Sequence, residues 1–203
     1  MADIKPTRSE LIKLKKKIKL ARSGYNLLKK KRDGLVMEFF EILKSAKTVR
    51  NEMTAEYKQA LSRINRARMS EGDIKIRSLA MAIATKPEIS LKPRNIMGVV
   101  VPKIEGAGVQ KTMKERGFSP FGSSAAVDEA AAAFERVIEK VIVAAEVETS
   151  MKRLLTEIEK TKRRVNALEF AVIPKMQHTE RFIKLRLEEM ERENIFRLKR
   201  IKG

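Results

Sequence analysis

The sequence has no cysteine, no tryptophan, a single histidine and only 5% aromatic residues. Without cysteine there is no disulfide framework, no thiolate nucleophile and no sulfur metal site. The lone histidine, His178, has no partner at ligand spacing nearby, so a solvated or interhelical side chain is the expected reading, not a catalytic or metal-binding one. Breakers are few, with 9 glycines and 6 prolines. No glycine is followed by Lys-Ser or Lys-Thr, so Gly98, Gly106 and Gly108 belong to no phosphate-binding loop. No window approaches the roughly 18 uninterrupted apolar residues of a membrane span, and Met1–Pro6 lacks the apolar core of a signal peptide. Acidic residues are also in short supply. Against 45 Lys+Arg there are 26 Asp+Glu, a net charge of +19, which points to an acidic partner surface or to nucleic acid.

What is present is the raw material of long helices. Charged residues make up 35% and hydrophobic residues 43% of 203 positions, with 10 methionines. That much apolar surface argues against disorder, and the scarcity of aromatics argues against a thick globular core. Thr7-Arg8-Ser9-Glu10 fits a capping box with Pro6 just outside it. From there the apolar positions run Leu11, Leu14, Ile18, Ala21, Tyr25, Leu28, Leu35, Phe39, Ile42, Ala46, Val49 and Met53, stepping by three and four, with Arg32 the one polar occupant. A seam sustained for about six heptads is the condition for a coiled coil. Two steps of four meet at Tyr57 before Ala60, Ile64 and Ala67 resume, a stutter that relaxes the supercoil locally. Gly72 weakens the helix, and Pro87 is expected to end it.

The character then changes. Glu88–Lys92 alternates and Asn95–Ile104 is rich in β-branched residues, so a short β-hairpin is expected, with Pro93 and Pro102 confining it to an edge or ribbon. Gly106, Gly108, Gly117 and Gly122, with Ser119, Pro120, Ser123 and Ser124, suggest a mobile loop. Ser123 or Ser124 can cap a second helix that carries Asp128 and Glu129 in its first turns. Its apolar face is read through Phe134, Ile138, Val141, Ala145, Met151, Leu155, Ile158, Val165, Leu168, Val172 and Met176, continuing to Ile183, Leu187, Met190 and Leu198. Pro174 falls inside this run and predicts a kink.

The expected fold is therefore mainly α: a long antiparallel two-helix coiled coil with a β-hairpin inserted between the helices. The divisions are 1–85 for the first helix, 86–123 for hairpin and loop, and 124–203 for the second helix. Taking Ile83 opposite Val127 as the closed end sets Met53 against Ile158, Ala46 against Val165 and Phe39 against Val172. Some 75 paired residues would make a rod on the order of 110 Å long. The same register gathers Lys13, Lys16 and Lys17 beside Arg197, Lys199 and Arg200, a basic tip suited to a partner. It also brings Arg32 and Gly34 to the level of Pro174 and His178, a layer expected to be flexible.

These features carry no chemistry of their own. The Glu188, Glu189, Glu191 and Glu193 cluster alternates with Arg186, Arg192 and Arg197 at helical spacing, which reads as a salt-bridged exposed face. No catalytic residue, metal ligand or cofactor site is expected. A basic coiled-coil scaffold for nucleic acid is the competing reading, but the lysines surround the helix and stacking aromatics are lacking.

Longer strings add to this. Pro6-Thr7-Arg8-Ser9-Glu10-Leu11-Ile12-Lys13-Leu14-Lys15-Lys16 and Leu28-Lys29-Lys30-Lys31-Arg32-Asp33-Gly34-Leu35 resemble the D subunits of the archaeal A-type and vacuolar V-type ATPases. So do Asn95–Val99, Arg163–Phe170 with Ile173-Pro174, and Glu188–Glu193. The resemblance spans essentially the whole chain in order. It implies a non-catalytic rotor shaft whose terminal end enters the hexamer of catalytic A and regulatory B subunits. The other end would bind the small F subunit and, through the funnel-shaped C subunit (named d in vacuolar enzymes), the membrane rotor ring. The resemblance further implies a peripheral position on the cytoplasmic side of the membrane, coupling of ATP synthesis or hydrolysis to H+ or Na+ transport, and no nucleotide or nucleic acid bound by the chain itself.

Overall fold

The computed structural model describes residues 6–83, 87–112, 116–117 and 124–203. In chain order the elements are α1 (Arg8–Glu71), α2 (Asp73–Ala82), β1 (Glu88–Ile96), β2 (Val99–Ala107), α3 (Ala125–Ala167), a π-helical turn (Leu168–Val172) and α4 (Ile173–Lys202). The chain divides into two compact units, one of Met37–Thr156 and one of Met1–Val36 with Glu157–Gly203.

α1 begins where the capping residues place it. Thr7 Oγ1 accepts the Glu10 N–H at 3.2 Å, and the Thr7 carbonyl accepts the Leu11 N–H at 3.0 Å. Every seam position from Leu11 to Met53, Arg32 included, is buried or half-buried, while Tyr57 at the stutter is exposed and Ala60 and Ala67 are fully buried. α1 stops at Gly72, whose φ of 82° and ψ of 152° no helix accommodates. α2 follows and ends at Ala82, ahead of Pro87.

In the unit of residues 37–156, α1 and α3 run antiparallel. Ala60 packs with Ala133, Val137 and Phe134, and Ala67 with Val127 and Ala130. Alanine on both sides permits a close approach of the two backbones. Arg50–Glu148 (2.7 Å) and Glu52–Lys140 (2.6 Å) bridge the same helices. The closed end is thus Ala67 against Val127, not Ile83 against Val127, because Gly72 diverts α2 out of line. Met53 consequently lies with Ala144 and Val147, not Ile158.

The hairpin pairs Glu88 with Ala107 through Ile96 with Val99. Met97 (φ 49°) and Gly98 (φ 86°) make the two-residue turn, positive at both positions as such hairpins require. Asn95 Oδ1 accepts the Gly98 N–H at 2.8 Å. Pro93 faces Pro102, so their missing N–H groups fall at one pair that exchanges no ladder bonds. β2's outer edge is taken by α3: Arg153 Nη1 donates to the Val100 carbonyl at 2.7 Å, and Glu146 Oε2 accepts the Ile104 N–H at 3.0 Å. Val99 and Val101 are buried, whereas β1 is exposed along nearly its whole length.

Gly106 belongs to β2, not to a loop. Gly122, Ser119, Pro120 and Ser123 lie outside the described residues. Ser124 occupies the position before α3, and its carbonyl accepts from Val127 at 2.9 Å and Asp128 at 3.4 Å. Its hydroxyl caps none of the α3 N–H groups. α3 buries Val127, Ala130, Ala133, Val137, Ser150, Leu154, Thr161 and Val165. Ile138, Val141, Ala145, Leu155, Val172, Met190 and Leu198, expected inside, are exposed. At Pro174 the helix is not ended. The preceding π turn absorbs the missing N–H by closing wider loops, and α4 continues to Lys202.

Candidate partner-binding site

The terminal residues lie in the unit formed by Met1–Val36 with Glu157–Gly203. Arg8 pairs with Glu191 at 2.5 Å, and Lys31 with Glu157 at 3.8 Å, which sets α1 antiparallel to α3 and α4. Ile18, Leu35, Val165 and Ile183 supply the buried apolar contacts here.

The lysines of the first turns do not share one role. Lys13 Nζ donates to Glu10 Oε1 at 2.8 Å. That bond and the Lys13 charge, assisted by Lys17, hold the Glu10 carboxyl below its ordinary value. Lys13 is therefore partly neutralised, whereas Lys16 and Lys17 make no ion pair among the described residues. Arg197, Lys199 and Arg200 are exposed and also unpaired there.

The two basic groups share an end but are staggered. From the Arg8–Glu191 level, Lys13–Lys17 run about 8–14 Å one way and Arg197–Arg200 about 9–14 Å the other. The last turns of α4, residues 192–202, run past the start of α1 and are exposed throughout.

The flexible layer is not assembled. Arg32 spends its guanidinium on the neighbouring Asp33, with Nε at 3.0 Å and Nη2 at 2.8 Å from Oδ1. Its neighbour Lys31 reaches Glu157, so Pro174 lies roughly 25 Å further along the partner helix. Glu180, two residues beyond His178, instead shares a groove with Lys15, Ile18 and Arg22. Pro174 and His178 are both exposed.

Periodicity does not single out the apolar side chains left in solvent. Ile12, Leu20 and Leu27 lie on one side of α1, off the seam, and Leu20 is 74% exposed. Ile195, Phe196, Leu198 and Ile201 interleave with the basic residues of α4, Phe196 at 71%. Leu198 is expected on the apolar face of the second helix; the signal of the others is an apolar residue that fits no seam position. Clusters of exposed large apolar groups mark protein-binding surfaces. Among the described residues, no three His, Asp or Glu side chains are placed to hold a metal ion, and no helix is long and apolar enough to cross a membrane.

Comparison with known proteins gives one consistent answer. The chain is 58% identical over 200 residues to the A-type ATP synthase D subunit of Methanococcoides burtonii, covering 98% of this chain and 97% of that one. It is 58% identical to the protein of the same name from Methanosarcina mazei, covering 99% and 96%. With that of Halobacterium salinarum it shares 48%, over 98% and 89%. The family profile of the ATP synthase D subunit matches residues 10–203, and the chain belongs to that family.

Proposed function

We propose that this chain is the central-stalk shaft of a rotary A-type ATP synthase, a non-catalytic part that passes torque between the catalytic A/B hexamer and the ion-translocating ring in the membrane. The observation that carries this reading is the terminal end of the molecule. There α4 runs beyond α1 with basic and large apolar side chains both exposed, a surface suited to a protein socket. The unbroken α1 from Arg8 to Glu71 supports it, since torque needs a continuous element with a tightly packed seam. Inside a three-fold ring, one asymmetric shaft touches each catalytic interface differently, so the nucleotide sites take different conformations in turn. The partners are the A and B subunits around the terminal end, the F subunit beside the shaft, and the C subunit toward the ring. The chain holds no nucleotide and sits on the cytoplasmic side of the membrane through the complex.

Co-purification with the A, B and F subunits, followed by a rotation assay, tests this. The complex is expected to assemble and rotate, and removal of residues from Arg197 onward should reduce coupling more than basal hydrolysis. Unchanged coupling in the truncated complex overturns the placement of the terminal end in the hexamer. Failure to assemble, together with a steeply salt-dependent DNA shift, favours the nucleic-acid scaffold instead.

A further inference from the structure

Most ion pairs among the described residues are solvent-exposed, but Arg116 is 8% exposed and lies between two acids of α3. Its Nε and Nη2 donate to Glu135 Oε1 and Oε2 at 2.9 and 3.1 Å, a bidentate grip, and Nη1 reaches Asp128 Oδ1 at 3.4 Å. The hydrogen bond to Glu135 raises the guanidinium's pKa above its ordinary value, against the cost of burial. The next residue, Gly117, has a φ of 82°, and a Cβ there would sit 3.0 Å from the Ala82 carbonyl oxygen. Arg116 therefore ties this short stretch to α3 through its side chain, and Gly117 lies close against the last turn of α2, where a larger residue would crowd the Ala82 carbonyl.

α2 is joined to the end of α1 by two surface ion pairs, Arg68–Asp73 at 3.3 Å and Glu71–Lys75 at 2.5 Å. It buries no residue fully, its link to α1 is the positive-φ Gly72, and Ile74 and Met81 are 86% exposed. Its inward contacts are Ile76 and Leu79 against Ala67, Val127 and Ala130. We infer that α2 is an arm hinged at Gly72 and latched shut by Arg116–Gly117, and that releasing the latch uncovers the small apolar face of Ala67, Val127 and Ala130. A buried arginine with two carboxylate partners suits a latch, because losing one partner leaves a charge without compensation.

Hydrogen–deuterium exchange on the full-length chain tests the inference. Arg116→Met should speed exchange of the α2 amides about tenfold or more while the α1 amides of residues 8–60 keep their protection. Glu135→Gln, which keeps a hydrogen-bonding group but not the charge, should give a smaller change of the same pattern. Arg136→Met is the control, since Arg136 is exposed and only touches the Ala132 carbonyl at 3.3 Å. Unchanged α2 protection in the Arg116 variant overturns the latch. So does an equal loss of protection through α1 and α3 in both variants, which would make the pair part of the core.

Discussion

At the scale of single residues, the two leucines Leu27 and Leu35 mark the difference between seam and surface. Leu35 is fully buried on the seam, while Leu27 is 68% exposed one step off it. Leu35→Ala should lower the unfolding free energy by about 2–5 kcal/mol, the usual cost of a buried leucine and its cavity. Leu27→Ala should change stability by under about 0.5 kcal/mol. If Leu27 serves a partner, its loss should appear only when the complex is assembled. Denaturant unfolding of both variants separates the two roles, and an equal loss of stability would contradict them. Glu105 offers a second residue-scale measurement. Its carboxyl accepts from Lys92 at 2.6 Å and from Lys103 at 3.1 Å, which lowers its pKa, Lys92 contributing most. With the folded value depressed, the hairpin gains stability above the ordinary carboxylate pKa and loses it as pH falls through the lowered one. Titration of Glu105 by NMR should show Lys92→Met moving it back toward its ordinary value further than Lys103→Met does. The reverse order would mean that the Lys92 contact does not persist in solution.

At the scale of elements, the hairpin sits outside the seam yet is not a free appendage. Its edge is hydrogen-bonded by Arg153 and Glu146, and Val99 and Val101 are buried. Replacing residues 88–107 by a Gly-Ser linker should keep the far-ultraviolet helical signal, because the α1 seam does not depend on it. Thermal stability should still fall by several degrees from the lost burial and the two charge-assisted bonds. Collapse of helicity would make the hairpin structural, and no change in melting would mean that its edge is not docked. The first helix was legible because its seam is written in Leu, Ile, Phe and Met, and its start in Thr7. The second was legible only in part. Its buried seam holds Ser150, Thr161, Ala130 and Ala133, which hydrophobic periodicity passes over. The more visibly apolar Ile138, Val141 and Leu155 define a neighbouring stripe that faces out. The hairpin was readable from β-branched alternation and the prolines, but its docking was not, since Arg153 and Glu146 look like any charged pair on a helix. Arg116 gave no local signal at all, because its partners Asp128 and Glu135 lie beyond a glycine-rich stretch.

At the scale of the whole molecule, the proposed role as a shaft makes it matter where the chain could yield under torque. The expected soft layer combined Gly34 with Pro174, and that combination rested on closing the coiled coil at Ile83. Lys31 meets Glu157 instead, so Gly34 and Pro174 stand at different levels. Pro174 keeps a claim to compliance through the π turn at Leu168–Val172, which carries one residue more than an α-helical path and leaves Phe170 74% exposed. A π turn has wider, weaker hydrogen-bond loops than the α-helix around it and is a natural place for local twist. Pro174→Ala alone should leave the turn in place, because straightening it would rotate Ile183 and Leu187 off the seam by about one residue's step of 100°. Deleting Phe170 together with Pro174→Ala removes the extra residue and restores the missing N–H, so α3 and α4 should become one α-helix with Ile183 still buried. The structure of that variant and slower amide exchange around residues 165–176 check the first step. Torsional fluctuations of single assembled complexes check the second. If the π turn supplies elasticity, the annealed variant should fluctuate over a narrower angle than the parent and Pro174→Ala should match the parent. Equal fluctuation in all three would place the compliance in another part of the complex and leave the π turn as an accommodation of proline alone.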